Sequence, residues 1–139
     1  MLNQVIVGYC RPAKDAREFM WSIVLDTSVM SLGAKVKVVS AISQEMRINV
    51  DRDALHSSIS LRNAFAHHAT HAHPVLEVPA KKGDKPVAYG ELWVLGSSGK
   101  IKKVRRHEAL EDFNVHCEKA KKSLAQLIDA IHAKSERDA

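Results

Sequence analysis

The most regular pattern in the chain is an apolar stripe close to its C-terminal end. Between residues 107 and 134, apolar residues recur every three or four positions, as they do along one face of an α-helix. Charged residues occupy the opposite face, so the pattern predicts a long amphipathic helix followed by a frayed tail. The stripe consists of Leu110, Phe113, Cys117, Ala120, Leu124, Leu127, Ile128 and Ile131.

A second helix is predicted over residues 13–32, where apolar residues fall on two opposite faces at helical spacing. One face carries Ala16, Phe19, Met20, Ile23, Thr27 and Met30. The other face carries Trp21, Leu25, Val29 and Leu32. Gly33 is predicted to end this helix. A helix that is apolar on both faces needs cover on both, which either the rest of the chain or another subunit would supply.

Two further helices are predicted in the first half of the chain. Residues 35–47 have Val36, Val39, Ile42 and Met46 at helical spacing, although the opening KVKVV also fits a strand. Residues 52–67 follow Asp51, a good N-cap residue. Residues 1–12 fit either a short strand or an apolar arm, and Pro12 suits the first turn of the next helix.

Residues 75–105 differ from the rest because they are rich in β-branched and aromatic residues. The stretches VLEV, VAYGELWVL and KIKKVR read as strands, and KKGDKP and GSSG read as the turns between them. They predict an antiparallel hairpin or three-stranded meander. The predicted fold is therefore mainly α: a four-helix bundle with a small antiparallel β insertion before the last helix, in a single domain over residues 1–139.

Composition narrows the class of protein. A chain of 139 residues with 45 % hydrophobic residues suits one globular domain and argues against disorder. No apolar run approaches the ~18 residues of a membrane helix. The start, MLNQVIVGYC, lacks the basic region and cleavage site of a secretion signal. Cys10 and Cys117 form no CxxC pair, so a reducing cytoplasmic location is expected.

Positive charge is concentrated in one short run of the predicted third strand. Its members are Lys100, Lys102, Lys103, Arg105 and Arg106, within a chain whose formal net charge is +5. One interpretation is a surface that binds the phosphates of a nucleic acid. The other is a charged edge strand that resists aggregation. Trp93 and Tyr89, on the middle strand, are expected to be packing residues.

The segment with the most chemistry is SSISLRNAFAHHATHAH, residues 57–73. A helical wheel predicts that Arg62 lies within the apolar arc formed by Leu55, Ile59, Phe65 and Ala66. A buried guanidinium must be paired and hydrogen-bonded. Its partner would be either an anionic ligand or a core acid; the candidate acids are Glu18, Asp26 and Glu45.

Beside this arginine, the wheel predicts a polar stripe of His56, Ser60, Asn63 and His67. A guanidinium binds phosphate through two parallel hydrogen bonds, and an imidazole exchanges protons near neutral pH. An amide can orient either group. Such a set could hold a phosphodiester and cleave RNA without metal, leaving a 2′,3′-cyclic phosphate. The alternative is an ordinary solvated helix face.

The sequence from Arg62 to His67 has the form R-N-x-x-x-H near the end of a helix. It resembles the R-x(4–6)-H signature of HEPN domains, small all-α domains of bacterial toxin–antitoxin, abortive-infection and other defence systems. The sequence LRNAFAH, residues 61–67, also resembles HEPN-family proteins related to the mannitol operon repressor. The resemblance covers the helical frame, about residues 13–70 and 107–134. The strand-rich insertion at 75–105 is not part of the minimal HEPN domain.

The resemblance implies a metal-independent endoribonuclease that needs no cofactor. Arg62 and His67 would then be catalytic, and Asn63 would assist them. It also implies a homodimer whose two motifs line one cleft, with RNA as substrate and an antitoxin protein as a further partner. The alternative is a non-catalytic regulatory or interaction protein, similar to the mannitol operon repressor group.

A histidine cluster raises the separate question of a metal site. His67, His68, His71 and His73 form the pattern HHxxHxH, and imidazole is a common zinc ligand. However, no cysteine or acidic residue lies nearby before Glu77, and the spacing straddles a helix end and Pro74. No metal site is therefore predicted.

Overall fold

The computed structural model describes residues 1–68, 73–77, 85–96 and 98–137. These residues are mostly helical and include one small antiparallel sheet, which agrees with the predicted mainly α class. They contain five α-helices and one π-helical turn, rather than four helices. The elements in chain order are α1 (Leu2–Cys10), α2 (Lys14–Phe19), the π turn (Met20–Val24), α3 (Leu32–Glu45), α4 (Arg52–His68), β1 (His73–Glu77), β2 (Val87–Leu95), β3 (Ile101–Arg105) and α5 (Arg106–Arg137).

The chain forms two compact units. The first consists of Met1–Leu55 and Glu118–Ala139, and the second of His56–Cys117. The boundaries between the units therefore fall within α4 and α5. No helix among the described residues has both the length and the apolar character needed to cross a membrane.

The first unit is built from helices whose buried positions follow the predicted spacing. In α3, Val36, Val39 and Ile42 are buried, and α1 packs against this helix. The part of α5 that belongs to the first unit buries four residues of the predicted stripe: Ala120, Leu124, Leu127 and Ile131. Residues 2–10, which the sequence left open between strand and arm, form a helix that buries Val5, Ile6 and Val7.

The predicted helix over residues 13–32 was wrong in its length and in its buried faces. The α-helical part ends at Phe19, and the π turn follows it. Neither α2 nor the π turn contains a buried residue. Gly33 does not end a helix but lies in the first turn of α3, whose N-cap Ser31 accepts a hydrogen bond of 3.2 Å from the Ala34 N–H.

Two polar groups hold the chain where the π turn ends. The buried ammonium of Lys35 donates a hydrogen bond to the carbonyl oxygen of Leu25, which is itself almost fully buried. Asp26 then accepts hydrogen bonds from the hydroxyl and the backbone N–H of Ser28. These bonds lower the pKa of the Asp26 carboxyl, because they favour its charged form.

The second unit contains the predicted β insertion, which is a three-stranded meander with the order β1-β2-β3. Both strand pairs are antiparallel: Val75 lies opposite Tyr89, and Leu92 lies opposite Val104. One face of the sheet contributes to a core with α4 and α5. The buried members of this core are Leu61, Ala64, Leu92, Val94, Val104 and Ala109, with Phe65 and Phe113 packed against them.

The predicted turns lie partly outside the described residues. This holds for residues 81–84 of the turn predicted at 81–86, and for Ser97 of the turn predicted at 96–99. In the second turn, the Gly99 N–H donates a hydrogen bond of 3.0 Å to the carbonyl oxygen of Gly96. Gly99 has a φ of 77°, a left-handed conformation that glycine adopts without steric cost.

Candidate functional site

Arg62 is an exposed residue of α4, not a member of its buried face. The prediction that it lies within the apolar arc was therefore wrong. The buried side of this part of α4 is formed by Leu61 and Ala64, with Phe65 half-buried beside them. Arg62 is displaced from Leu61 by about 100° around the helix axis, which turns its side chain out of the core.

The Arg62 guanidinium is held by a neutral neighbour. Its Nη1 donates a hydrogen bond of 3.2 Å to Oδ1 of Asn63. Within the described ranges, no carboxylate forms an ion pair with Arg62, so the predicted alternative of a core acid partner is not found there. A guanidinium has five N–H donors, and one bond to an amide leaves it fully charged with most donors available for an anion.

The polar stripe predicted beside Arg62 is accessible. His56 and His67 are exposed, and Ser60 and Asn63 are half-buried. His67 lies about 7.5 Å further along the helix axis than Arg62 and about 140° around it. Asn63 lies between the two in angle, so its bond to the guanidinium draws the long arginine side chain toward the side of the helix where His67 lies.

The four-histidine cluster lies largely outside the described residues. His71 belongs to the segment that is not described, and the side chains of His68 and His73 are not described either. In the ranges that are, no three histidine, cysteine or acidic residues come close enough together to hold a metal ion.

The basic run lies partly on the exposed face of the sheet, where Lys103 and Arg105 each pair with an acid. Lys103 Nζ is 3.6 Å from Glu91 Oε1, and Arg105 Nη2 is 2.6 Å from Glu77 Oε2. Much of the positive charge on this face is therefore neutralised by carboxylates.

The same two cations lie over aromatic rings. Lys103 Nζ is 5.0 Å from the centroid of the Trp93 ring, and the Arg105 guanidinium carbon is 4.6 Å from that of Tyr89. These distances are typical of cation–π contacts. The two rings are four residues apart on β2. Because alternate residues of a strand point to the same side, both rings lie on the sheet face that points away from the core.

The remaining basic residues of the run are arranged differently. Lys100, Lys102 and Arg106 are exposed, and none has an acidic partner within the ranges that the structure covers. Lys102 lies opposite Val94, on the core-facing side of the sheet, but its own side chain is exposed. Arg106 begins α5, so its predicted place on the strand was wrong.

The sequence analysis missed the roles of Glu77 and Glu91. A signal for Glu91 is present in VAYGELWVL: residues at alternate strand positions point to the same side, so Glu91 must share a face with both aromatic residues. The pairing of Glu77 with Arg105 depends on the register of three strands and has no comparable local signal.

Comparison of the chain with protein-family models, with curated proteins and with solved structures finds no match.

Proposed function

We propose that this chain cleaves RNA without a metal ion, with Arg62, Asn63 and His67 as its active-site residues. The observation that carries the proposal is the exposed Arg62 guanidinium, which is bonded to an amide and has no carboxylate partner among the described residues. A cation that is not neutralised by an acid is a strong binder of phosphate. The resemblance of residues 62–67 to the HEPN motif supports the same assignment.

In the proposed reaction, Arg62 binds the non-bridging oxygens of one phosphodiester. Neutral His67 accepts the proton of the adjacent 2′-hydroxyl, and the 2′ oxygen forms a bond to phosphorus. The bond from phosphorus to the 5′ oxygen breaks, and that oxygen takes a proton from water. The products are a 2′,3′-cyclic phosphate and a free 5′-hydroxyl, and the protonated His67 returns its proton to solvent.

Arg62 would stabilise the extra negative charge that develops on the phosphorane oxygens. Removing a donor of this kind from a preorganised site typically lowers the rate by about 10²–10³-fold. Asn63 is a positioning residue in this scheme, because its carbonyl oxygen accepts the bond that holds the guanidinium toward His67.

The proposal includes a homodimer, as the resemblance implies. The segment around the π turn provides a surface for a second copy, since Phe19, Ile23 and Val29 are 61 %, 51 % and 66 % exposed. Phe19 and Ile23 are four residues apart, about one helical turn, and exposed apolar patches are typical of protein interaction sites. The same observation favours the second candidate function, a non-catalytic regulatory or interaction protein.

Cleavage of RNA in EDTA by purified wild type and His67→Ala separates the two candidate functions. We expect the wild type to cut and His67→Ala to be at least about 100-fold slower, because general acid–base catalysis contributes about 10²–10⁴-fold. His107→Ala, which removes an exposed histidine from α5, is the matched control and should retain the wild-type rate. Equal activity of wild type and His67→Ala would indicate a contaminating nuclease and leave the interaction protein as the better account.

A further inference from the structure

A cavity of about 290 Å³ lies within the first unit, apart from the α4 motif. Three helical segments line it, each with side chains about one turn apart, so that neighbouring residues of each segment face the same space. The segments contribute Gln4, Val7 and Gly8 from α1, Arg17 and Trp21 from α2 and the π turn, and Ile128 and His132 from α5.

The walls combine an aromatic surface with a cation. Trp21 is 44 % exposed, so part of its indole ring is accessible, and Val7 and Ile128 continue the apolar lining. Arg17 is exposed and has no acidic partner within the part of the chain that the structure describes. The described lining contains one permanent cation, Arg17, and no carboxylate; Glu18 lies with Arg17 and Trp21 on a neighbouring depression.

Two features of the backbone make this a shaped site. Trp21 belongs to the π turn, and π-helical turns within helices are frequent at functional sites. Gly8 presents no side chain to the cavity, and a Cβ added there would make only an ordinary contact, 3.5 Å from Cγ2 of Ile131. Apolar walls with a few convergent polar groups are the usual composition of a small-molecule site.

We propose that this cavity binds a small planar aromatic anion. The ring would stack against the indole of Trp21, where offset stacking of aromatic groups is favourable. Its carboxylate would accept paired hydrogen bonds from the Arg17 guanidinium, the geometry in which arginine binds carboxylates best. Gln4 and His132 provide further hydrogen-bonding groups at the edge of the cavity.

Three probe molecules distinguish the contributions of the aromatic ring and of the negative charge to binding. Benzoate carries both, benzyl alcohol carries only the ring, and acetate carries only the charge. The chain has two tryptophans, so the indole N–H signal of Trp21 in an NMR spectrum is assigned by comparison with Trp93→Phe. We expect benzoate to shift the Trp21 signal saturably, with an affinity at least about tenfold above those of benzyl alcohol and acetate. The Trp93 signal should not move.

Arg17→Gln should reduce the affinity for benzoate to that for benzyl alcohol, whereas the matched control Arg52→Gln should retain the wild-type value. Arg17 is exposed, so its replacement removes no core contact. Equal affinities of wild type for benzoate and benzyl alcohol would overturn the proposal without reference to any variant. A shift at Trp93 instead of Trp21, or unchanged binding in Arg17→Gln, would overturn it as well.

Discussion

Helix α4 and the exposed face of the sheet carry positive charge in contrasting ways. On the sheet, Lys103 and Arg105 lie over aromatic rings and each pairs with a glutamate. On α4, Arg62 is bonded to an uncharged amide and has no acidic partner in the described ranges. On the exposed sheet face both cations are therefore paired with carboxylates, whereas Arg62 of α4 keeps its charge available.

This difference has a physical origin in the two kinds of element. Alternation along a strand places Glu91 on the same face as both aromatic residues, and antiparallel pairing places Lys103 opposite Trp93 and Arg105 opposite Glu91. On a helix, the neighbours of Arg62 three and four residues away are Ile59, Ser58, Phe65 and Ala66, none of them acidic.

The largest expected effect comes from removing the available cation. Arg62→Gln should slow RNA cleavage by about 10²-fold or more, because the developing phosphorane charge loses its main stabilising group. Arg62→Lys should fall between wild type and Arg62→Gln, since an ammonium keeps the charge but not the paired hydrogen bonds. The measurement is the initial rate of cleavage of a labelled RNA in EDTA.

Arg52→Gln is the control for this experiment, because it removes an exposed arginine from the first turn of the same helix. It should cut RNA at the wild-type rate. An equal loss in Arg52→Gln and Arg62→Gln would mean that α4 contributes only general positive charge.

Substitutions in the basic run should have an intermediate effect, on the affinity for RNA. Lys102→Gln should weaken RNA binding several-fold and reduce the slope of log affinity against log salt by about one, as the loss of one phosphate contact does. Lys103→Gln should have a smaller effect on both quantities, because Glu91 already offsets its charge. Binding is measured by fluorescence anisotropy across a salt series, and equal losses in the two variants would mean that Glu91 does not offset the charge of Lys103.

The smallest expected effect is a gain in affinity for RNA. Glu77→Gln releases Arg105 from its carboxylate and should raise RNA affinity at low salt by less than about tenfold, a gain that screening removes at high salt. Glu111→Gln, on the exposed surface of α5, changes the net charge by the same amount without releasing a paired cation. If both variants gain equally, net charge alone explains the effect.

Much of the fold could be predicted where periodicity is strong. The long apolar stripe of α5, the helix after Asp51 and the alternating residues of β2 each indicated the correct element. Residues 2–10 could not be assigned because Val5, Ile6 and Val7 are all buried, and consecutive buried residues have no period. The π turn also escaped prediction, since it shifts the helical register after Phe19 and exposes the faces that a regular helix would align.

Which side of α4 is buried could not be predicted from the sequence. The predicted arc included Ile59 and Ala66, which are half-buried and exposed, and left out Leu61 and Ala64, which are buried. Leu61 and Ala64 pack against the strands, and this contact sets which side of α4 is buried. Which side of a helix is buried depends on the sheet surface that packs against it, and the spacing of residues along the helix carries no information about that surface.

The most direct test of the central claim is the dependence of cleavage on the 2′-hydroxyl. One RNA oligonucleotide and its copy with a single 2′-deoxy sugar at the cleavage position are incubated with wild-type protein in EDTA. The account predicts that the RNA yields a 2′,3′-cyclic phosphate and a 5′-hydroxyl end, and that the deoxy copy stays intact at that position. Cleavage of the deoxy copy at the same rate would contradict it.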